Sequence, residues 1–323
     1  MIEKYILPSI TGRGLGVGLL LLAFILGACS NDDNEQAPQQ PKSYPLTIEV
    51  TENPLIQDGE EGSNSNRAAI TTTTSLSTFY IDYKYSSTGS DGSTPYTASK
   101  NGEGIWTSTG SWPDTGTEVS WYAYSIFDKS KYIQFQPNEG NPYLRFIVEE
   151  AAASQHDLLV AKTAKIYDSG NPTISFTFDH ACAGLRFYVK KANNLGSNAL
   201  TVTSIRLCNV KKDGRYFFDS GEWQSVQTDA SYTLYSGGSK TINSGDYELL
   251  NGDANNAYLF MIPQELTGWD GSAGTYVEIA WNYSSGTPSS GTAKVPLTKT
   301  LVKGKKYDVK INIGNTTLTT LSN

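Results

Sequence analysis

Three cysteines and two histidines carry most of the distinctive side-chain chemistry open to this 323-residue chain. Metal binding needs Cys, His and acids at close spacing, and neither His156 nor His180 has a Cys or His neighbour at ligand distance along the chain. His180 extends the apolar face of Ile174, Phe176 and Phe178, which reads as a core histidine with a satisfied ring. His156-Asp157 lies beside a strand start and reads as a turn. No G-x-S-x-G elbow or phosphate-cradling glycine loop occurs, and Glu149-Glu150 point to opposite sides of a strand. The residue inventory therefore points to no catalytic group, no metal ligand and no cofactor, and not to an enzyme.

Cys29 is the exception, because its thiol has a chemical use set by what precedes it. An apolar run from Leu15 to Ala28, about 14 residues, is short for a bilayer span, follows Lys4 and Arg13, and ends in Gly27-Ala28. This is the pattern of a lipoprotein export signal. Small residues admit a peptidase, Cys29 takes a diacylglyceryl thioether, and acylation of the exposed amine with chains such as palmitate completes an anchor in the outer membrane. An ordinary secretory signal with a chance cysteine is the alternative. Residues 1–28 are then the signal peptide. Residues 29–43, with Asp32, Asp33 and Glu35 followed by a Gln/Pro stretch, have almost nothing to bury and form a disordered tether.

Cys182 and Cys208 remain after lipidation. An exported chain could bridge them, closing a loop of about 25 residues worth on the order of 3 kcal/mol. Their strand positions favour two separate small core residues instead. Aromatic side chains offer a different chemistry, stacking on sugar C–H faces. Trp112 in Ser111-Trp112-Pro113 and Trp269 in Gly268-Trp269-Asp270 sit in turn-like contexts, so they are the best candidates for exposed, ligand-stacking rings. Most other aromatics read as core.

The elements that position these residues are strands. Leu46, Ile48 and Val50 alternate with polar residues. Thr51 to Asn66 reads as a mobile, protease-accessible loop that Arg67 closes, just before Ala68. Strand signals follow at Val119–Ser125, Tyr143–Val148, Asp157–Ala161, Ile174–His180, Leu185–Val189, Val202–Leu207, Tyr258–Ile262, Val277–Trp281 and Tyr307–Ile313. Ile174–His180 and Leu185–Val189 read as a hairpin or neighbouring strands, Tyr258–Ile262 as covered on both faces, and Glu149–Gln155 as the one short helical turn. Turns at Ser90-Asp91-Gly92, Pro113 to Gly116 and Pro137 to Gly140 separate strands. The class is all-β, with two β-sandwiches in series: residues 44–170 and 171–323, divided near Gly170.

Charge narrows the partners. Removing residues 1–28 takes away Lys4, Arg13 and Glu3, which moves the formal charge from -7 to -8. No basic run is present to track phosphates, so nucleic acid is not an expected partner. Between Ser30 and Asn66 eight acids face only Lys42, and a cut after Arg67 leaves residues 68–323 at -2.

Six short motifs occur in order: Asn66-Arg67-Ala68-Ala69-Ile70 through Phe79; Trp112-Pro113 before Val119-Ser-Trp121-Tyr-Ala123-Tyr124; Asp157-Leu-Leu-Val-Ala161; Phe178-Asp-His180-Ala181; Ile262-Pro263-Gln264; and Gly304-Lys305-Lys306-Tyr307. Together they resemble the Bacteroidetes fimbrillin-like lipoproteins, the subunits of adhesive type V pili. The resemblance implies two transthyretin-like β-sandwich domains and surface display through a lipid anchor. It also implies pilin partners joined by strand exchange, and neither a cofactor nor an active site. An arginine-specific protease is implied to cut at Arg67–Ala68, making residues 44–67 a removable segment and Leu46, Ile48 and Val50 the strand displaced. The alternative is a permanent strand in a monomeric surface lipoprotein that binds a glycan or a host protein. The short tail from Gly314 to Asn323 departs from the family pattern and leaves stalk, tip and anchor roles open.

Overall fold

The computed structural model describes residues 44–57, 76–85, 95–113, 116–125, 133–136, 141–151, 155–193, 199–242, 247–249, 258–283, 290–314 and 319–320. Among them no α-helix occurs, and the chain is all-β. In chain order the strands begin with β1 (Thr47–Glu52), β2 (Ile56–Gln57), β3 (Thr78–Tyr85), β4 (Tyr96–Lys100), β5 (Trp106–Ser108), β6 (Val119–Ser125) and β7 (Ile133–Gln136). Next come β8 (Tyr143–Ile147), β9 (Leu159–Lys165), β10 (Thr173–His180), β11 (Ala183–Lys191), β12 (Leu200–Phe217), β13 (Glu222–Ile242) and β14 (Glu248–Leu249). The last are β15 (Leu259–Met261), β16 (Glu265–Leu266), β17 (Tyr276–Tyr283), β18 (Ser290–Pro296), β19 (Lys299–Thr300), β20 (Lys305–Ile313) and β21 (Thr319–Thr320).

Three large sheets result. The first runs β1-β10-β9-β6-β3-β4-β5, the second β14-β11-β20-β2 with β15 on β11 and β21 on β20, and the third β18-β17-β12-β8-β7 with β13 along β12. Strand β10 shows why the pattern works: Ile174, Phe176 and Phe178 are buried while Ser175, Thr177 and Asp179 face out. Two cores form. One gathers Leu46, Ile48, Phe79, Ile81, Trp112, Trp121, Ile174, Phe176 and Phe178. The other gathers Leu55, Leu185, Phe187, Val189, Ile205, Leu207, Ile279, Val309 and Ile311 with many neighbours.

Strand β6 serves both cores, which is why it does not alternate. Trp121 and Ala123 enter the first and Tyr122 and Tyr124 the second. Tyr122 meets Phe135 at 5.6 Å and Phe218 at 5.2 Å. Strand β15 is likewise buried throughout, matching the expectation that it is covered on both faces. Two expectations differ. Strands β10 and β11 do not pair: β10 ladders with β1 and β9, β11 with β20, β14 and β15. The link Ala181-Cys182 carries the chain from one core to the other, so the two strands diverge into separate sheets. The described part of Glu149–Gln155 is not helical, since Ala151 bridges to Thr233 and the Gln155 amide donates to the Glu149 carbonyl.

Candidate functional site

The segment 44–57 lies in a seat formed by parts of the chain far from it in sequence. Strand β1 pairs parallel with β10 over six positions, from Thr47 opposite Thr173 to Glu52 opposite Phe178. Its alternation directs Leu46 and Ile48, each 6% exposed, into the first core, with half-buried Val50 packed against them. The outer face is tied by polar pairs: Thr51 Oγ1 donates to Thr177 Oγ1 at 3.0 Å, Ser175 Oγ to Glu49 Oε2 at 3.2 Å, and Asn53 Nδ2 to Asp179 Oδ1 at 2.7 Å. At the entry, Trp112 N donates to Tyr44 O at 2.8 Å and Leu46 N to Gly110 O at 3.2 Å.

Beyond β1 the segment changes cores. Pro54 has no N–H to continue a ladder, and Leu55, 4% exposed, enters the second core. Ile56 N donates to Gly304 O at 2.9 Å, and β2 pairs parallel with Lys305 and Lys306 of β20. Residues 51–57 are therefore built into both sheets, where the sequence suggested the start of a mobile loop. Each of Leu46, Ile48 and Leu55 gains about 1.5–3 kcal/mol by burial, so this short strap contributes to both cores.

Three chain crossings between cores meet where the strap turns. Ala181 N donates to Leu158 O at 2.8 Å, and Asn53 N donates to Phe178 O at 2.9 Å. At this corner His180 is 3% exposed. Its Nδ1 is hydrogen-bonded to the buried Asp157 carboxylate, and its Nε2 lies 3.7 Å from Glu52 Oε1 of β1. That Nε2 and Asp157 Oδ1 are buried without hydrogen-bond partners. Burial disfavours the charged ring, yet the Asp157 hydrogen bond and charge, with Glu52 and the Asn53 backbone, raise the His180 pKa above its ordinary value. Burial raises the Glu52 carboxyl's pKa, opposed by His180 and assisted by Asp157. The Cys182 thiol beside them is pushed well up by burial, with Asp157 adding to the rise.

The structure brings Leu46, Ile48 and Val50 together in the seat. Cys29, Arg67 and Ala68 lie outside the described residues. Trp112 is 5% exposed rather than exposed as expected. Its turn is a docking edge: its indole N–H donates to Pro172 O at 3.1 Å, and its ring meets Trp121 at 5.2 Å and Tyr167 at 5.4 Å. Tyr167 in turn packs on Tyr44 at 4.6 Å, so Trp112 is a wall of the seat and has no open face for a sugar. Trp269 is half-buried, 5.0 Å from Tyr276, with Lys294 Nζ 4.4 Å over its ring. Cys182 and Cys208 are both buried free thiols. Sequence reasoning missed Leu55, Glu52 and the His180–Asp157 bond. The available signal was that Asp157 and His180 stand in two separate motifs, while the Asn53-Pro54 pair disguised Leu55 as loop. Among the described residues no group of three or more His, Cys, Asp or Glu side chains is placed to hold a metal ion.

None of the curated proteins compared matches this chain. Among solved structures it is similar to a fimbrial protein from Bacteroides vulgatus, at 16% identity and a TM-score of 0.59, covering 87% of this chain and 98% of that one. It is also similar to a candidate cell adhesion protein from Bacteroides ovatus, at 12% identity and a TM-score of 0.52, covering 86% of this chain and 95% of the other. A third, from Parabacteroides distasonis and described in the same words, has 9% identity and a TM-score of 0.53, covering 86% and 90%. Identities this low speak to the fold alone. The fimbrillin-like family model matches residues 65–323, most of the strands described above, and the chain belongs to the fimbrillin-like family.

Proposed function

We propose that the chain is a structural, non-enzymatic subunit of cell-surface adhesive pili, anchored in the outer membrane through lipid on Cys29 and assembled by protease-triggered strand exchange. A cut between Arg67 and Ala68 frees the strap 44–57, and an extended segment of a second copy takes its seat as a donor strand. The observation that carries this reading is the strap itself. It is a short N-terminal piece that pairs by parallel ladder with β10 and β20 and supplies Leu46, Ile48 and Leu55 to two cores. Its departure would expose an unpaired edge of β10 and apolar sockets, a combination that invites another strand. The family match begins at residue 65, next to the proposed cut, and family membership together with similarity to a fimbrial protein supports surface display. In this reading the tether 29–43 leads into an N-terminal sandwich followed by a C-terminal one. The last strand of the first sheet in chain order, β10, ends at His180 rather than near Gly170, and β2 and the β7–β8 pair cross earlier to join β20 and β12. A host protein or glycan would be the ligand of the assembled fibre.

Treatment of the folded protein with a trypsin-like protease tests it. Cleavage occurs first at Arg67, and the product forms SDS-resistant or sedimentable oligomers that Arg67→Ala does not. A fully cleaved product that stays monomeric at high concentration excludes a polymerising subunit.

A further inference from the structure

The corner of the seat holds an arrangement that the strand-exchange reading does not use. An imidazole with a carboxylate toward each nitrogen is satisfied on both sides only as a cation, because a neutral ring has one N–H to donate. Here one carboxylate, Asp157, belongs to the fixed body and is bonded to Nδ1. The other, Glu52, belongs to the strap and lies 3.7 Å from a buried Nε2, at ion-pair rather than hydrogen-bond distance, with the Asn53 backbone also favouring the charged ring. With the Nδ1 proton given to Asp157, a neutral His180 turns a bare lone pair toward a carboxylate, two acceptors facing one another.

We propose that His180, oriented by Asp157, is a socket for the acidic side chain of Glu52 on the strap, and that the cationic ring paired with this carboxylate holds the strap's corner in place. The other ionisable groups near this corner are Asp179, held outward by the Asn53 amide, and the buried Cys182 thiol. Neither of these can become a cation that would substitute for the protonated ring. The sign follows from counting protons. The seated pair binds a proton that the separated pair gives up more readily, and a state that binds more protons loses stability as pH rises. Seating is therefore firmest below about pH 6.5, the ordinary histidine value, and weakens as pH climbs through the raised His180 pKa of the seated state. The raised Glu52 pKa acts in the same direction. The inference concerns the uncleaved chain and stands or falls without strand exchange.

Hydrogen–deuterium exchange of the intact protein between pH 5.5 and 8.5 tests it, with β1 amides referenced to β6 in the same sample so that base catalysis of exchange cancels. The expected result is opening of β1 relative to β6 that rises with pH, by at most about tenfold per unit for one linked proton. In Glu52→Gln the slope disappears or reverses, because an amide can pair with either form of the ring. The 15N shifts of the two histidines give the charge directly, with exposed His156 as the reference, and His180 should be cationic at pH 5.5. A flat β1-to-β6 ratio in the wild-type protein overturns the proposal without any variant. So does an unchanged slope in Glu52→Gln, or a neutral His180 at pH 5.5.

Discussion

Trp112 and Trp269 look alike in sequence, each an indole in a turn, and their costs on truncation should differ widely. Trp112 is packed on Trp121 and Tyr167 and donates to Pro172 O, so Trp112→Ala should lose about 3–5 kcal/mol in urea denaturation. Trp269→Ala removes a half-buried ring and its contact with Lys294 and should cost about 1 kcal/mol or less. Equal losses would mean that the two environments are misassigned. Gly274 is a sharper case: its φ is +99°, and a Cβ would sit 2.5 Å from the carbonyl oxygens of Thr267 and Gly268. Gly274→Ala should cost at least about 1–3 kcal/mol by the same measurement. Burial of single residues was only partly legible beforehand. The period-2 alternation placed Ile174, Phe176, Phe178 and His180 on one face correctly, because all four obey the same pleat. Trp112 misled because turn chemistry says where the chain reverses and not what the turn rests against. The partners of His180 were hidden because Asp157 and Glu52 come from segments 23 and 128 residues away.

At the level of elements, the strands themselves were legible where one face is buried, as in β1, β10, β17 and β20. Their partners were not. The β1–β10 and β2–β20 ladders join residues more than a hundred positions apart, and parallel pairing leaves no hairpin turn to announce it. The irregular β12–β13 ribbon was equally silent. It contains four register shifts, and Asn209, Ser225 and Thr228 take positive φ values of 60°, 53° and 64°. Such bulges twist a long outer strand and discourage unwanted pairing along it. Thr228 is exposed and β-branched, so its left-handed conformation is strained with no packing to compensate. Thr228→Gly should raise stability by about 0.5–1 kcal/mol, and a loss of that size would show that the threonine makes a contact that matters. In the strap, Ile48→Ala and Leu55→Ala should each lower stability by about 2–4 kcal/mol although they act on different cores. A neutral Leu55→Ala would detach β2 from the stability of the second core.

For the molecule as a whole, composition said more about partners than about shape. Because the acids gather before Arg67, a chain lipidated at Cys29 and then cut after Arg67 would pass from a formal charge of -8 to -2. Association of the cleaved form should then depend only weakly on salt, while the uncleaved form should be kept apart at low ionic strength and approach itself more readily as salt screens it. Sedimentation at two salt concentrations measures this, and equal salt dependence before and after cleavage would contradict it. Cys29→Ser should release the folded body from the membrane fraction, because residues 30–43 offer no apolar surface for lipid. Retention in that fraction would point to a second anchor. The sharing of β6 and of the strap between two cores lay beyond sequence reading, since it depends on which faces come together and not on either face alone.

The parallel sense of the β1–β10 ladder also has a mechanical meaning. A force applied to the N-terminal end of β1 along the strand axis would load its six paired positions together in shear. A hairpin drawn open from its free end gives up its hydrogen bonds one after another, whereas a strand in shear must lose them nearly together, so rupture is slow under a given force. Any segment seated in the same direction would bear tension in the same way, which makes the seat a joint suited to traction.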